Sequence, residues 1–151
     1  MPSLSALWQN TKAMPQLLRM FCQGGMVAPP VLALLLVLPI MDWTVNGRQI
    51  GYAELWSSGA GLTMLVFMVM ATAGAWGLAA RARWSRWVWV ATPLAPVLVA
   101  AAHPQTWFTQ EATNDASVWV SAAAASLVIF ACLFWIPAVR MYASSGAATD
   151  A

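Results

Sequence analysis

The sequence predicts an all-α integral membrane protein, a bundle of four transmembrane helices with both termini in the cytoplasm and a small cap of outer loops. Three observations support this fold class. Of the 151 residues, 61% are hydrophobic and only 8% are charged, whereas soluble domains are about 45–50% apolar. The chain contains four apolar segments of membrane-spanning length, and six of its seven basic residues lie on one side of them.

Four segments are long enough to cross a bilayer, whose hydrocarbon core of about 30 Å needs roughly 20 apolar helical residues. None of the four has Asp, Glu, Lys or Arg in its central part. The predicted spans are residues 22–41, 55–80, 84–102 and 117–139. They make a transmembrane domain over residues 22–139, with a cytoplasmic or interfacial segment before it, 1–21, and a disordered cytoplasmic tail after it, 140–151.

Basic residues predict the orientation of the bundle. Six of the seven fall on one side of the four spans, namely Lys12, Arg19, Arg81, Arg83, Arg86 and Arg140. Only Arg48 falls on the other side. Because short loops that carry Lys and Arg stay in the cytoplasm, both termini are predicted to be cytoplasmic. The compact chain favours a bacterial inner membrane.

The stretch RARWSRWVWV joins the second and third spans. Its basic residues are Arg81, Arg83 and Arg86, and its aromatic residues are Trp84, Trp87 and Trp89. Hydrated arginines resist translocation and indoles prefer the headgroup boundary, so the stretch is predicted to anchor topology and interface. A specific site for an anionic lipid is the alternative. Seven basic residues are too few for an extended nucleic-acid surface, so no nucleic-acid partner is expected.

The segments between the spans have their own local signals. The N-terminal segment has apolar residues at helical spacing from Leu4 to Phe21, which favours an interfacial helix, interrupted near Pro15, over a frayed lead-in. In the first loop, Asn46-Gly47 predicts a β-hairpin because both residues tolerate positive φ. The third loop is predicted to be coil with a helical turn, and its final residues, "TND", supply an N-cap for the fourth span.

Prolines and small residues predict how the spans are shaped and packed. Pro93 and Pro96 should kink the third span, and Pro29, Pro30 and Pro39 should disturb the first, because proline lacks a backbone donor. The predicted helix-packing residues are Gly59, Thr63, Ala71 and Ala75 in the second span, and Ser117, Ser121 and Ala125 in the fourth. Such faces let helix backbones approach closely, either within the bundle or between two membrane proteins.

Few residues are candidates for a catalytic, redox or metal-binding role. His103 is the only histidine, and it is a weak candidate for a catalytic base assisted by carboxylates of the outer loops. The alternative is an interfacial residue that ends a helix before Pro104. Cys22 and Cys132 form neither a CxxC pair nor a metal-ligand set, so thiol redox catalysis is not expected. Both lie in the cytoplasmic half of the predicted bundle, so both are predicted to be reduced thiols. No cofactor or metal is predicted.

The function predicted from these features is that of a non-enzymatic, multi-pass membrane protein that acts by association. It would be an accessory subunit of a membrane complex or a protective partner of the immunity type. Its expected partners are the lipid bilayer and another membrane protein or a second copy of itself. Two alternatives remain open: a small oligomeric transporter or channel, and a membrane enzyme with an outer-face site around His103. The absence of charge from the spans argues against proton-coupled transport.

Overall fold

A computed structural model of the protein describes residues 3–40, 42–104 and 106–144. Most of these residues are helical, and two short strands form a hairpin. In chain order the elements are α1 (Leu4–Lys12), α2 (Gln16–Val37), β1 (Trp43–Val45), β2 (Arg48–Ile50), α3 (Tyr52–Ser57), α4 (Ala60–Ala79), α5 (Ser85–Ala91), α6 (Leu94–Ala102), α7 (Trp107–Asn114), α8 (Ala116–Phe134) and α9 (Pro137–Ser144).

Three helices are long and apolar enough to cross a membrane, over Leu18–Val37, Ala60–Ala79 and Ala116–Phe134. The predicted third span is a broken helix in which α5 and α6 meet at 58°. The break lies at Pro93, where a kink was predicted. Proline cannot donate a backbone hydrogen bond, and the Thr92 hydroxyl next to it donates to the Val88 carbonyl oxygen at 2.8 Å.

Helix α4 lies at the centre of the bundle. It packs against α1, α2, α3, α5 and α6, whereas α8 packs against α5, α6, α7 and α9. In the apolar stretch of α4, 39% of the residues are buried, compared with 17% in the corresponding stretches of α2 and α8. Helices α2 and α8 are therefore peripheral, and each has a broad face that the described residues leave uncovered.

Two spans have boundaries that differ from the predicted ones. Helix α2 begins before residue 22 and ends at Val37, because Leu38 precedes Pro39 and adopts an extended conformation, as residues before proline prefer. The predicted second span, 55–80, is divided into α3 and α4 by Gly59, whose φ of +83° is left-handed. A left-handed residue cannot continue a right-handed helix.

Two regions that were predicted to lack regular structure are helical. The third loop forms α7, which begins with a capping box between Thr106 and Thr109. Helix α9 extends to Ser144, although a disordered tail was predicted from residue 140. Its apolar residues Val139 and Tyr142 are buried, and this packing accounts for the order. Residues 145–151 of the predicted tail lie outside the described residues.

Two local predictions are confirmed. Strands β1 and β2 form an antiparallel hairpin in which Val45 pairs with Arg48. Asn46 and Gly47 make the turn with φ values of +50° and +77°, as the two-residue loop requires. Asp115 caps α8, because its side chain accepts a hydrogen bond from the Ser117 backbone N–H at 2.8 Å.

The two ends of the bundle are built from different elements. At the end where α4 begins, the hairpin, α3 and α7 form a layer that we call the cap. It packs over a cluster that includes Leu36, Ile50 and Leu55. At the opposite end, α1, residues 80–84 and α9 form a second layer that we call the basic end. There the Asn10 side-chain amide donates to the Ala79 carbonyl oxygen at 3.1 Å, which joins α1 to the end of α4.

Candidate functional site

At the basic end, the start of α5 packs closely against glycines of α4. A Cβ atom added at Gly74 would lie 2.8 Å from Cδ1 of Trp89, and one added at Gly77 would lie 2.5 Å from Cβ of Ser85. These distances are too short for an unshifted side chain. The two glycines therefore form a groove that admits the half-buried indole of Trp89, so this residue packs within the bundle.

The other two tryptophans of this stretch differ from Trp89. Trp84 and Trp87 are 53% and 59% exposed, so their indoles are available to the headgroup region that tryptophan prefers. The ring centroid of Trp87 lies 5.1 Å from that of Phe134 on α8. The sequence did not distinguish Trp89 from its neighbours. The signal was the spacing of Gly74 and Gly77 on a preceding helix, which has meaning only once α4 and α5 are known to pack together.

The three arginines of the stretch RARWSRWVWV have different surroundings. The Arg81 guanidinium carbon lies 4.9 Å from the ring centroid of Tyr142, and that of Arg86 lies 5.1 Å from the ring centroid of Phe134. Both distances are within the range of cation–π attraction. Arg83 is exposed. Burial raises the pKa of the Tyr142 phenol, while the hydrogen bond and charge of Arg81 oppose that rise.

Arg81 also terminates α4. Its φ is +57°, and the backbone N–H groups of Arg81 and Ala82 donate to the carbonyl oxygens of Leu78 at 3.0 Å and Gly77 at 2.8 Å. This is a Schellman motif, in which glycine usually occupies the left-handed position. An arginine there directs the chain sharply from α4 into α5 and fixes a positive charge at the turn.

We expect joint replacement of Arg81, Arg83 and Arg86 by Gln to reduce correct membrane orientation, since the turn would lose the charges that resist translocation. Arg83→Lys should match wild type in membrane level and in partner recovery, because the side chain is exposed and lysine keeps the charge. Fractionation measures membrane level, protease accessibility measures orientation, and co-purification measures partner recovery. Selective loss of partner binding by Arg83→Lys, with normal insertion, would identify Arg83 as a recognition residue.

At the cap, His103 has the geometry of a packing residue. It follows α6, and a Cβ atom added at Gly59 would lie 3.0 Å from its ring. Nδ1 of His103 lies 3.2 Å from the Pro104 carbonyl oxygen. A catalytic role for His103, assisted by carboxylates of the outer loops, stays a prediction.

The acidic residues of the cap have other partners. Glu54 pairs with Arg48 at 3.1 Å, and Glu111 accepts a hydrogen bond from the Asn46 side-chain amide at 3.0 Å. The Arg48 guanidinium carbon also lies 4.9 Å from the centroid of a ring of Trp107. Hydrogen bonds from Ser117 lower the pKa of Asp115. These contacts join the hairpin to α3 and α7.

The small residues predicted to pack helices fall into three groups. Ala71 and Ala75 are buried at the contact with α2, where a Cβ atom added at Gly25 would lie 2.9 Å from Cβ of Ala75. Gly59 precedes α4, and the Thr63 hydroxyl donates to its carbonyl oxygen at 2.9 Å. The third group is Ser117, Ser121 and Ala125, all of which are exposed.

Helix α8 faces the bundle through different residues. Ala122, Ser126 and Leu133 are buried, and at 3.6 residues per turn they are centred about 120° around the helix from the Ser117 face. The two cysteines are free thiols, as predicted. The thiol of Cys22 is buried and donates to the Ala75 carbonyl oxygen at 3.1 Å, whereas Cys132 is exposed on α8.

Comparison of the chain with protein-family models, with curated proteins and with solved structures found no match.

Proposed function

We propose that the protein crosses the membrane four times, with the basic end in the cytoplasm and the cap outside, in a bacterial inner membrane. In this arrangement α5 and α6 together form one broken span. Contacts support the grouping of charges: α1, the turn at Arg81 and α9 meet at one end, whereas Arg48 belongs to the cap. The positive-inside rule then orients the bundle.

Within that membrane, we propose that the protein acts by binding another membrane protein, as an accessory subunit or a protective partner. The observation that carries this proposal is the exposed face of α8. Ser117, Ser121 and Ala125 recur at every fourth position, so they lie along one side of the helix. None of these side chains is covered by the described residues.

The surroundings of this face suit a partner helix. Val120 and Leu127, which flank the small residues, are 66% and 69% exposed, so larger side chains stand beside a shallow track. Small residues allow a second backbone to approach, and serine hydroxyls can hydrogen-bond across the contact. The Ser121 hydroxyl donates to the Val118 carbonyl oxygen at 2.9 Å, so it needs no partner before association.

The association proposal is tested by co-purification in mild detergent followed by mass spectrometry. We expect one defined membrane protein to accompany the wild type, and Ser121→Phe to reduce its recovery at least about tenfold, equivalent to about 1.4 kcal/mol. Ala28→Phe is the matched control, because Ala28 is a small, exposed residue on the other peripheral helix. It should leave recovery unchanged.

Two results would change the conclusion. If the species recovered on the Ser121 face is a second copy of the chain, the oligomeric transporter or channel becomes the better description. If Ser121→Phe and Ala28→Phe reduce recovery equally, or if neither does, the face of α8 is not the binding surface.

A further inference from the structure

An apolar cavity of about 220 Å³ opens between the two peripheral helices at the basic end. Its walls include Phe21 and Cys22 of α2, Leu78 of α4, Trp89 of α5, and Ile129 and Cys132 of α8. Among these residues no nitrogen or oxygen atom is exposed to the cavity. We propose that the cavity binds an acyl chain of an anionic phospholipid from the cytoplasmic leaflet.

The walls of the cavity are suited to the apolar part of a ligand. The pyrrole edge of Trp89 packs against Gly74, with Nε1 2.9 Å from the position of an added Cβ atom, so this nitrogen is buried against α4. An apolar cavity of about 150 Å³ stays dry and accepts a benzene-sized group. The cavity described here is larger, and a hydrocarbon chain restores the dispersion contacts that its walls lack when it is empty.

The short length of the cavity along the helix axis favours a lipid over a protein helix. On α8 its walls extend from Val128 to Leu133, which at 1.5 Å per residue is about 8 Å along the axis. A partner helix needs a longer contact face. Since the opening lies between two membrane-compatible helices, the surrounding bilayer is the source of the occupant.

Two arginines near the walls of the cavity favour a lipid with a negatively charged headgroup. Arg19 follows the wall residue Leu18, and Arg86 lies over Phe134, which follows the wall residue Leu133. Arg86 is also in the first turn of α5. Basic residues between spans on the cytoplasmic side bind anionic headgroups, so a lipid whose chain enters the cavity places its phosphate near these guanidinium groups.

The experiment is native mass spectrometry of the delipidated full-length protein titrated with phosphatidylglycerol or with phosphatidylcholine of the same acyl chains. We expect one phosphatidylglycerol molecule to bind at least about fivefold more tightly than phosphatidylcholine, and the Arg19→Gln/Arg86→Gln variant to lose that preference. Cys132→Phe should fill the cavity and weaken phosphatidylglycerol binding at least about fivefold.

Ser121→Phe is the control, because it adds the same side chain to the exposed face of α8 outside the cavity. It should bind phosphatidylglycerol like wild type even if it loses the protein partner, so the lipid proposal and the association proposal fail separately. If Cys132→Phe does not insert, Val128→Phe tests the same wall. Equal affinity for the two lipids, or equal losses in the cavity variant and Ser121→Phe, would overturn the proposal.

Discussion

Replacing Gly77 with alanine should lower the free energy of unfolding by about 2–3 kcal/mol, because overpacking a close helix contact typically costs about 1–3 kcal/mol. The new Cβ atom would lie 2.5 Å from Cβ of Ser85 and 2.9 Å from Cη2 of Trp84. Ser85 is buried, and its hydroxyl donates to the Ala82 carbonyl oxygen at 2.6 Å. The start of α5 is therefore held in place and cannot move away from the new Cβ atom without a large loss of stability.

Gly24→Ala is the matched control for this prediction. Gly24 is also a glycine inside an apolar helix, but an added Cβ atom there meets nothing within 4 Å. Alanine favours the helix over glycine, so this variant should lose no stability. Unfolding in mixed micelles, followed by circular dichroism, measures both variants. Equal stability of Gly77→Ala and Gly24→Ala would show that α4 and α5 do not pack as closely as described.

Gly59→Ala should be the second strongly destabilising change. Its φ of +83° is a conformation in which an L-residue is strained, at a cost of roughly 1–2 kcal/mol. The added Cβ atom would also lie 3.0 Å from the ring of His103. We expect the two effects to sum to about 2–3 kcal/mol, because a crowded contact adds to the backbone strain.

Two comparisons separate these effects. Gly47 has a similar φ of +77° with nothing within 4 Å of an added Cβ atom, so Gly47→Ala should show only the backbone effect. Adding His103→Ala to Gly59→Ala should recover the contact part of the loss, and the double-mutant cycle should show coupling. Additive effects in that cycle would mean that His103 does not pack against Gly59.

Local chemistry made part of the fold predictable. Asn46-Gly47 specifies a hairpin by its φ preferences, and Asp115 specifies the start of α8 by accepting a backbone hydrogen bond. Pro93 and Pro96 likewise predicted a kink in the third span, and the break lies at the first of them. Each of these signals acts within a few residues, so no knowledge of the tertiary fold was needed.

Other features depend on contacts between distant residues. Gly59 fits a small-residue helix pattern as well as it fits a break, and only its contact with His103 and its left-handed φ distinguish the two. Helix α9 is ordered by contacts such as the one between the Tyr142 hydroxyl and the Asn10 carbonyl oxygen at 3.3 Å. Those residues are far apart in the sequence, so the sequence alone predicted a disordered tail from residue 140.

The candidate site was predictable only in part. The periodicity of Ser117, Ser121 and Ala125 places them on one face of α8. It does not say whether that face points inward, because α8 has no charged residue and is rich in apolar residues on every side. The structure buries Ala122 and Ser126 instead. The cavity could not be predicted, since its walls come from four separate helices.

The central claim is a four-span bundle with a cytoplasmic basic end, and reporter fusions at both ends of the broken span test it most directly. A compartment-sensitive reporter is fused after Arg83 and, in a second chain, after Gln110. If α5 and α6 cross the membrane as one span, the Arg83 fusion reports the cytoplasm and the Gln110 fusion reports the outer side. Reports from the same compartment would show that α5 and α6 form a re-entrant loop, and would contradict the four-span bundle.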